Sequence, residues 1–226
     1  MVNVGIIGAT GYTGMELLRL LMTHPKVDSL ILTSRKNKGL PVSSLYPEFL
    51  GVIDLEYREP SLEILVNCDV VFFCTPHGVT QSMGPGLLEL GVKVIDLSAD
   101  FRIRDILIWE SWYGITHSAP DWVSRAVYGL PELNREKIAS AELVACPGCY
   151  PTSIELGLLP LLKNGCLELS GIIANVASGV SGAGRTLSKD KLFAEVNDGF
   201  RAYSVMGHRH QTEIEQVLSE MAGRSF

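Results

Sequence analysis

The sequence has no long apolar run. None of its hydrophobic stretches approaches the ~20 residues that a membrane-spanning helix needs, although 46 % of its residues are hydrophobic. It also lacks a basic block. With 19 Lys and Arg against 25 Asp and Glu, the net charge is −6, so nucleic acid and anionic membrane are excluded as expected partners. No basic, apolar and small-residue series precedes the first strand, Val2 to Ile7, so no secretory leader is expected. Cysteine is sparse and odd in number. Cys68, Cys74, Cys146, Cys149 and Cys166 are too scattered for a disulfide scaffold and suit a reducing, cytoplasmic setting. No second Cys-x-x-Cys or His-x₃-His accompanies Cys146-Pro-Gly-Cys149, so no metal site is expected. A thioredoxin-like pair is disfavoured because that motif belongs after the first strand of a small domain. Repeats and low-complexity segments are absent too.

What is present alternates. Apolar runs at Asn3–Ile7, Ser29–Thr33, Asp69–Thr75 and Lys93–Leu97 are separated by helical patterns at Met15–Met22, Ser61–Val66 and Gln81–Leu90. Continuous apolar strands between helices predict a doubly wound parallel sheet covered on both faces. The stretch from Ala99 to Asn134 reads as an irregular, packed region rich in aromatics: Phe101, Trp109, Trp112, Tyr113, Trp122 and Tyr128. Beyond Cys149 the pattern predicts a helix over Pro151–Leu162, a strand over Gly171–Ala177, a glycine-rich loop, and a last helix over Thr212–Met221, where Thr212 and Glu215 have capping-box spacing. The expected division is a dinucleotide-binding Rossmann-like domain over 1–148 and a smaller α+β catalytic domain over 149–226.

Four segments carry chemistry. Gly8-Ala-Thr10-Gly11-Tyr12-Thr13-Gly14 follows the first strand and opens a helix. Glycines there permit a tight turn and let backbone N–H groups approach a pyrophosphate at the helix N-terminus. After the second strand, NAD-specific loops place a carboxylate for the ribose 2′-hydroxyl. This chain has Ser34, Arg35 and Lys36 instead, which suits a 2′-phosphate and hence NADP(H). Ser178-Gly-Val-Ser181-Gly182-Ala-Gly184-Arg185 mixes glycines, hydroxyls and a guanidinium, the groups that gather around an anion. Cys149 stands at the start of a helix, where open N–H groups and the dipole favour thiolate, making it a candidate covalent nucleophile. His208 and His210 supply imidazoles for acid–base work. Residues two apart cannot share a helix face, so both are expected on an extended segment ahead of the last helix.

Together these parts suit reduction of an acyl phosphate to an aldehyde. The runs Gly5 to Gly14, Pro76-His-Gly78, Asp96-Leu-Ser-Ala-Asp-Phe-Arg102, Tyr128 to Glu132, Pro147-Gly-Cys-Tyr-Pro-Thr152, Ser178 to Arg185 and Gly207-His-Arg-His210 cover the chain in order. On these the sequence resembles the N-acetyl-γ-glutamyl-phosphate reductase family of the semialdehyde dehydrogenase superfamily. The resemblance implies arginine biosynthesis, NADP(H), and Cys149 as the nucleophile that forms a thioester. His210 is the first choice for the acid–base, with His208 second. It implies dinucleotide contacts from Gly8, Thr10, Gly11, Tyr12, Thr13, Gly14, Ser34, Arg35, Ser178 and Gly182. Arg102, Ser181 and Arg185 are expected on an acyl-phosphate substrate, and the assembly is expected to be a homodimer or homotetramer. Family members usually carry Asn where this chain has Cys146, and they continue past the His-Arg-His helix, so the second domain is expected to be incomplete. Rival readings are aspartate-semialdehyde dehydrogenase, a reductase of the one-carbon-longer lysine-pathway substrate, a truncated NADP-binding form without turnover, and a redox sensor built on Cys146 and Cys149.

Overall fold

The computed structural model describes residues 1–167 and 170–223. The chain divides into two compact units, Met1–Cys146 and Pro147–Phe226. The first unit runs β1 (Val2–Ile7), α1 (Tyr12–Leu21), β2 (Val27–Thr33), α2 (Leu62–Leu65), β3 (Val70–Phe73), α3 (Val79–Glu89), β4 (Lys93–Asp96), α4 (Ile106–Tyr113), α5 (Pro120–Val123), β5 (Val127–Tyr128), α6 (Pro131–Ser140) and β6 (Leu143–Ala145). The six strands pair in parallel in the order β2-β1-β3-β4-β6-β5, as the alternation predicts.

Neighbouring residues of a strand point to opposite faces. Ile6 accordingly packs with Ala9, Leu18, Leu32 and Tyr57 in one core cluster. Ile7 packs with Leu65, Val71, Phe73, Leu87 and Val94 in the other. Both faces are buried, which is why the strands read as continuous apolar runs rather than as alternating ones. From β1 the chain passes to β2 on one side and to β3 on the other. The strand order therefore reverses between β1 and β3, and ligands of such sheets bind outside the carboxyl ends at that point. The loops there are Gly8–Gly14 and Cys74–Gly78.

The aromatic stretch from 99 to 134 is more regular than the sequence predicts. It forms three helices and the edge strand β5. Trp109 is fully buried and donates its indole N–H to Ala99 O at 2.8 Å. Its ring stacks on Tyr113 and meets His117 edge-on. Asp105 caps α4 by accepting from Ile108 N.

The runs Pro76-His-Gly78 and Asp96 to Arg102 fit each other. The Asp100 carboxylate accepts from Gly78 N at 2.8 Å and from Gln81 N at 3.0 Å, so it caps the N-terminus of α3. Asp96 accepts from Thr80 Oγ1 at 2.7 Å and Ser98 N at 2.9 Å through one oxygen. Its other oxygen is buried with no hydrogen-bond partner among the described residues. Burial, reinforced by the charge of Asp100, pushes Asp96 up to about 6. The folded state thus holds this proton more tightly than the unfolded chain. Stability contributed by the protonated group is present at low pH and lost as pH rises through about 4 to 6, by about 3 kcal/mol. Asp96→Asn keeps the accepting oxygen and removes the charge. It is expected to unfold at higher urea than the parent at pH 8, with the gap narrowing as pH falls through about 6 to 4.

The second unit holds α7 (Cys149–Lys163), the short α8 (Phe193–Val196) and α9 (Arg209–Ala222). The strand expected over Gly171–Ala177 does not form. Its side chains are largely exposed and no described residue pairs with its backbone, which a strand requires. The last helix also starts three residues earlier than the Thr212 spacing predicts. No helix among the described residues is long and apolar enough to cross a membrane.

Candidate active site

In the first unit, the glycine spacing is explained by contact. Gly8 adopts φ +79°, and a Cβ there would lie 2.3 Å from Cys74 O. A Cβ on Gly14 would lie 2.6 Å from Ala9 Cα and Gly8 O, so α1 approaches the turn after β1 more closely than any side chain permits. Gly11 is the N-cap of α1 and no side chain caps the helix. The nearest atom to a Cβ on Gly11 is 3.5 Å away. Tyr46 donates its hydroxyl to Thr10 O at 2.9 Å and supports the turn from behind, while Tyr12 and Thr13 are exposed. A tight turn and a helix start with no side-chain cap fit a dinucleotide pyrophosphate. At the end of β2, Ser34 is buried and its hydroxyl accepts from Asn37 N at 3.3 Å. Arg35 beside it is exposed.

Arg102 sits differently from a surface anion clamp. It is 8 % exposed and donates to Leu97 O at 2.9 Å. Its charge acts on Cys146, but weakly: burial first and Asp96 second push the Cys146 thiol up to about 11 against the opposing pull of Arg102. Burial likewise drives Cys74 to about 12. Both thiols stay protonated at neutral pH and are poor nucleophiles.

In the second unit, Cys149 is the exposed first residue of α7, and Gly148 is its N-cap. The N-cap carbonyl accepts from Thr152 N at 3.0 Å and from Thr152 Oγ1 at 2.9 Å. The Gly148 N–H donates to Glu213 Oε1 at 2.8 Å. The His210 ring lies directly over Gly148: an added Cβ would stand 2.6 Å from its Nε2. Glu213, one turn along α9 from His210, is buried. The N-cap of α7 is therefore held from α9 by the Glu213 carboxylate and closely covered by the His210 ring.

The two histidines come together in a way that helix spacing hides. His208 is the extended N-cap of α9, and its Nδ1 accepts from His210 N at 3.1 Å. Because only His210 lies in the helix, the ring centroids approach to 4.7 Å. Burial, with Arg209 as a smaller cause, holds His208 below the ordinary imidazole value of 6.5. A neutral ring is the form that can accept the capping bond. Tyr150 packs against both rings. Its hydroxyl bonds to the Tyr203 hydroxyl and lies 2.8 Å from Ser178 Oγ. Burial first, then hydrogen bonding to Tyr150, raises the Tyr203 phenol above its usual range.

Cys149, His208, His210 and Ser178 thus gather in the second unit, joined by Tyr150, Tyr203 and Glu213, which motif reading missed. Glu213 had a signal, an acid one helical turn after a candidate histidine. Tyr203 had none. Ser181, Gly182 and Arg185 lie on an exposed loop with a 3₁₀ turn over Val180–Ala183.

Residues 3–141 match the family model described as the semialdehyde dehydrogenase NAD binding domain. The chain belongs to the semialdehyde dehydrogenase family. Residues 149–226 match that family's dimerisation domain. Among curated relatives, the N-acetyl-gamma-glutamyl-phosphate reductase of Saccharophagus degradans is 58 % identical over 223 residues, covering 99 % of this chain and 64 % of the relative. The reductase of the same name from Cellvibrio japonicus is 58 % identical over 221 residues, covering 98 % of this chain and 64 % of the relative. The chain spans just under two thirds of their length. Among solved structures, the aspartate semialdehyde dehydrogenase II of Vibrio cholerae complexed with ASA superposes with a TM-score of 0.65 at 18 % identity, over 99 % of this chain and 67 % of that one. The Candida albicans aspartate semialdehyde dehydrogenase with NADP gives 0.50 at 18 %, over 74 % and 48 %. At such identities these two structures show the fold alone.

Proposed function

We propose that this semialdehyde dehydrogenase family member reduces N-acetyl-γ-glutamyl phosphate to N-acetyl-glutamate semialdehyde, in arginine biosynthesis, with NADP(H) as cofactor. The observation that carries the reading is Cys149 at the open start of α7 with His210 over its N-cap. The identity to relatives named for this activity supports it.

The first unit would hold the dinucleotide at Gly8–Gly14, Ser34 and Arg35. NADPH, when bound, would supply the hydride of the reduction. Cys149 Sγ attacks the acyl carbonyl, the C–O bond to phosphate breaks, and a thioester remains on the protein. N–H groups in the first turn of α7 face the oxygen that gains charge. After hydride arrives, that oxygen takes a proton during reduction and returns it as the carbon–sulfur bond breaks, releasing aldehyde and thiolate. We assign the giving and taking of this proton to His210, whose ring over the N-cap of α7 supports the role. His208 is engaged through Nδ1 as a helix cap, which favours His210 for the task. Ser181 and Arg185 on the exposed loop are suited to a substrate phosphate or carboxylate, and the burial of Arg102 favours Arg185 over it.

Self-association of the second unit, as a dimer or tetramer, belongs to this reading. The match to a dimerisation domain supports it. So does a run of exposed apolar side chains, with Phe200 at 89 % and Met206 at 99 %, more than a free surface tolerates. The test is the reverse reaction. N-acetyl-glutamate semialdehyde, phosphate and NADP⁺ should give NADPH absorbance that disappears when phosphate is withheld. Turnover with aspartate semialdehyde and none with the acetylated substrate would overturn the substrate assignment.

A further inference from the structure

The end of β2 carries a second strand segment that no motif announces. Arg58 N donates to Leu32 O at 2.8 Å, and Ser34 N donates to Arg58 O at 2.8 Å. This is one parallel bridge, with Arg58 in register with Thr33. The same segment then grips the far end of the next loop: Gly39 N donates to Tyr57 O at 2.7 Å and Tyr57 N to Leu40 O at 3.0 Å. The loop carrying Ser34, Arg35 and Lys36 is therefore fastened at both ends to residues 57–58. Arg58 lies one ladder position from Ser34.

The charges around this loop are unevenly committed. Lys38 is held by Glu59 at 2.6 Å, which commits that carboxylate as well. Arg35 and Arg58 are both exposed, and neither makes an ion pair or side-chain hydrogen bond among the described residues. Two uncommitted guanidiniums, Arg58 in register with Thr33 and Arg35 two residues along the chain from Thr33, stand at the end of β2, where a dinucleotide of this fold presents its adenosine ribose. A phosphate dianion has oxygens for more than one guanidinium, and Arg is the side chain suited to such geometry.

We infer that Arg58 is a specificity-determining residue which, with Arg35, binds the 2′-phosphate of the nucleotide. The inference rests on the reading that this unit binds NADP(H). It adds a contact that lies 23 residues downstream of Arg35, brought in by the bridge to β2 rather than by the β2 loop itself.

The test is binding rather than turnover. The protein and its Arg58→Gln, Arg58→Lys and Arg35→Gln variants are titrated with NADPH, with NADH, and with adenosine 2′,5′-bisphosphate against 5′-AMP. Arg58→Gln should weaken NADPH and the bisphosphate about tenfold, the scale of one charge-assisted hydrogen bond. NADH and 5′-AMP should stay within about twofold, and Arg58→Lys should restore part of the loss. An unchanged preference for the 2′-phosphate in Arg58→Gln would overturn the inference while leaving the NADP reading intact. Equal weakening of NADPH and NADH would also overturn it, by showing that Arg58 only supports the loop. A parent protein that does not distinguish NADPH from NADH would instead overturn the NADP reading, and this inference with it.

Discussion

Gly148→Ala is expected to lower phosphate-dependent turnover by about a hundredfold while leaving the protein folded. The residue sits at φ −65°, ψ 162°, a conformation alanine adopts without strain. Its N–H bond to Glu213 and its carbonyl bonds to Thr152 do not involve the side chain. Replacing glycine at an N-cap costs a few tenths of a kcal/mol to about 1 kcal/mol. What the new methyl meets is the His210 ring, 2.6 Å from its Nε2 and 2.9 Å from two ring carbons. Contact must open by close to 1 Å, and the ring is the group that can yield. A displacement of that size between reacting groups costs on the order of a hundredfold in rate. Measured kcat/KM should fall by that factor with the urea midpoint shifted little. Unchanged kcat/KM would show that His210 does not need its place over the N-cap, and so is not the acid–base.

Gly8→Ala is the second large effect, and it falls on stability. Here backbone and space both object. The φ of +79° costs an L-residue about 1 to 3 kcal/mol, and the Cβ would lie 2.3 Å from Cys74 O. That oxygen belongs to the backbone at the end of β3. It can move away only by parting β1 from β3 at the reversal of strand order, and such overpacking adds about 1 to 3 kcal/mol. The sum, about 3 kcal/mol or more, is a large share of the stability of an ordinary domain. Gly39→Ala separates the two causes, because Gly39 has the same φ with nothing within 4 Å of its Cβ. Urea unfolding should place Gly39→Ala below the parent by the cost of φ alone, about 1 to 3 kcal/mol, and Gly8→Ala well below both. Equal midpoints for the two variants would mean that the close approach of β1 and β3 carries no weight.

The parallel sheet was legible because strands such as β1 and β3 are packed on both faces and so read as continuous apolar runs. The glycine turn was legible because its spacing follows a strand directly. The expected strand over 171–177 fails for the opposite reason. An apolar run such as Ile172, Ile173 and Val176 states only that a segment can pair, and pairing depends on a partner that local sequence does not name. The regularity of 99–134 was hidden by aromatics that serve as core rather than as loop packing, Trp109 above all. Helix spacing correctly forbids two histidines at i and i+2 from sharing a face. It could not foresee that His208 would turn back from outside the helix to cap it. Glu213 and Arg58 act across 65 and 24 residues, on Gly148 and Ser34, and contacts of that separation are products of the fold rather than of any motif.

The most direct test of the account is the mass of the protein held with N-acetyl-γ-glutamyl phosphate in the absence of NADPH. The account predicts one N-acetylglutamyl group joined as a thioester, carried by the peptide containing Cys149, released by hydroxylamine, and absent in Cys149→Ala. Turnover with no such adduct, or an adduct on Cys74, Cys146 or Cys166 that persists in Cys149→Ala, would contradict it.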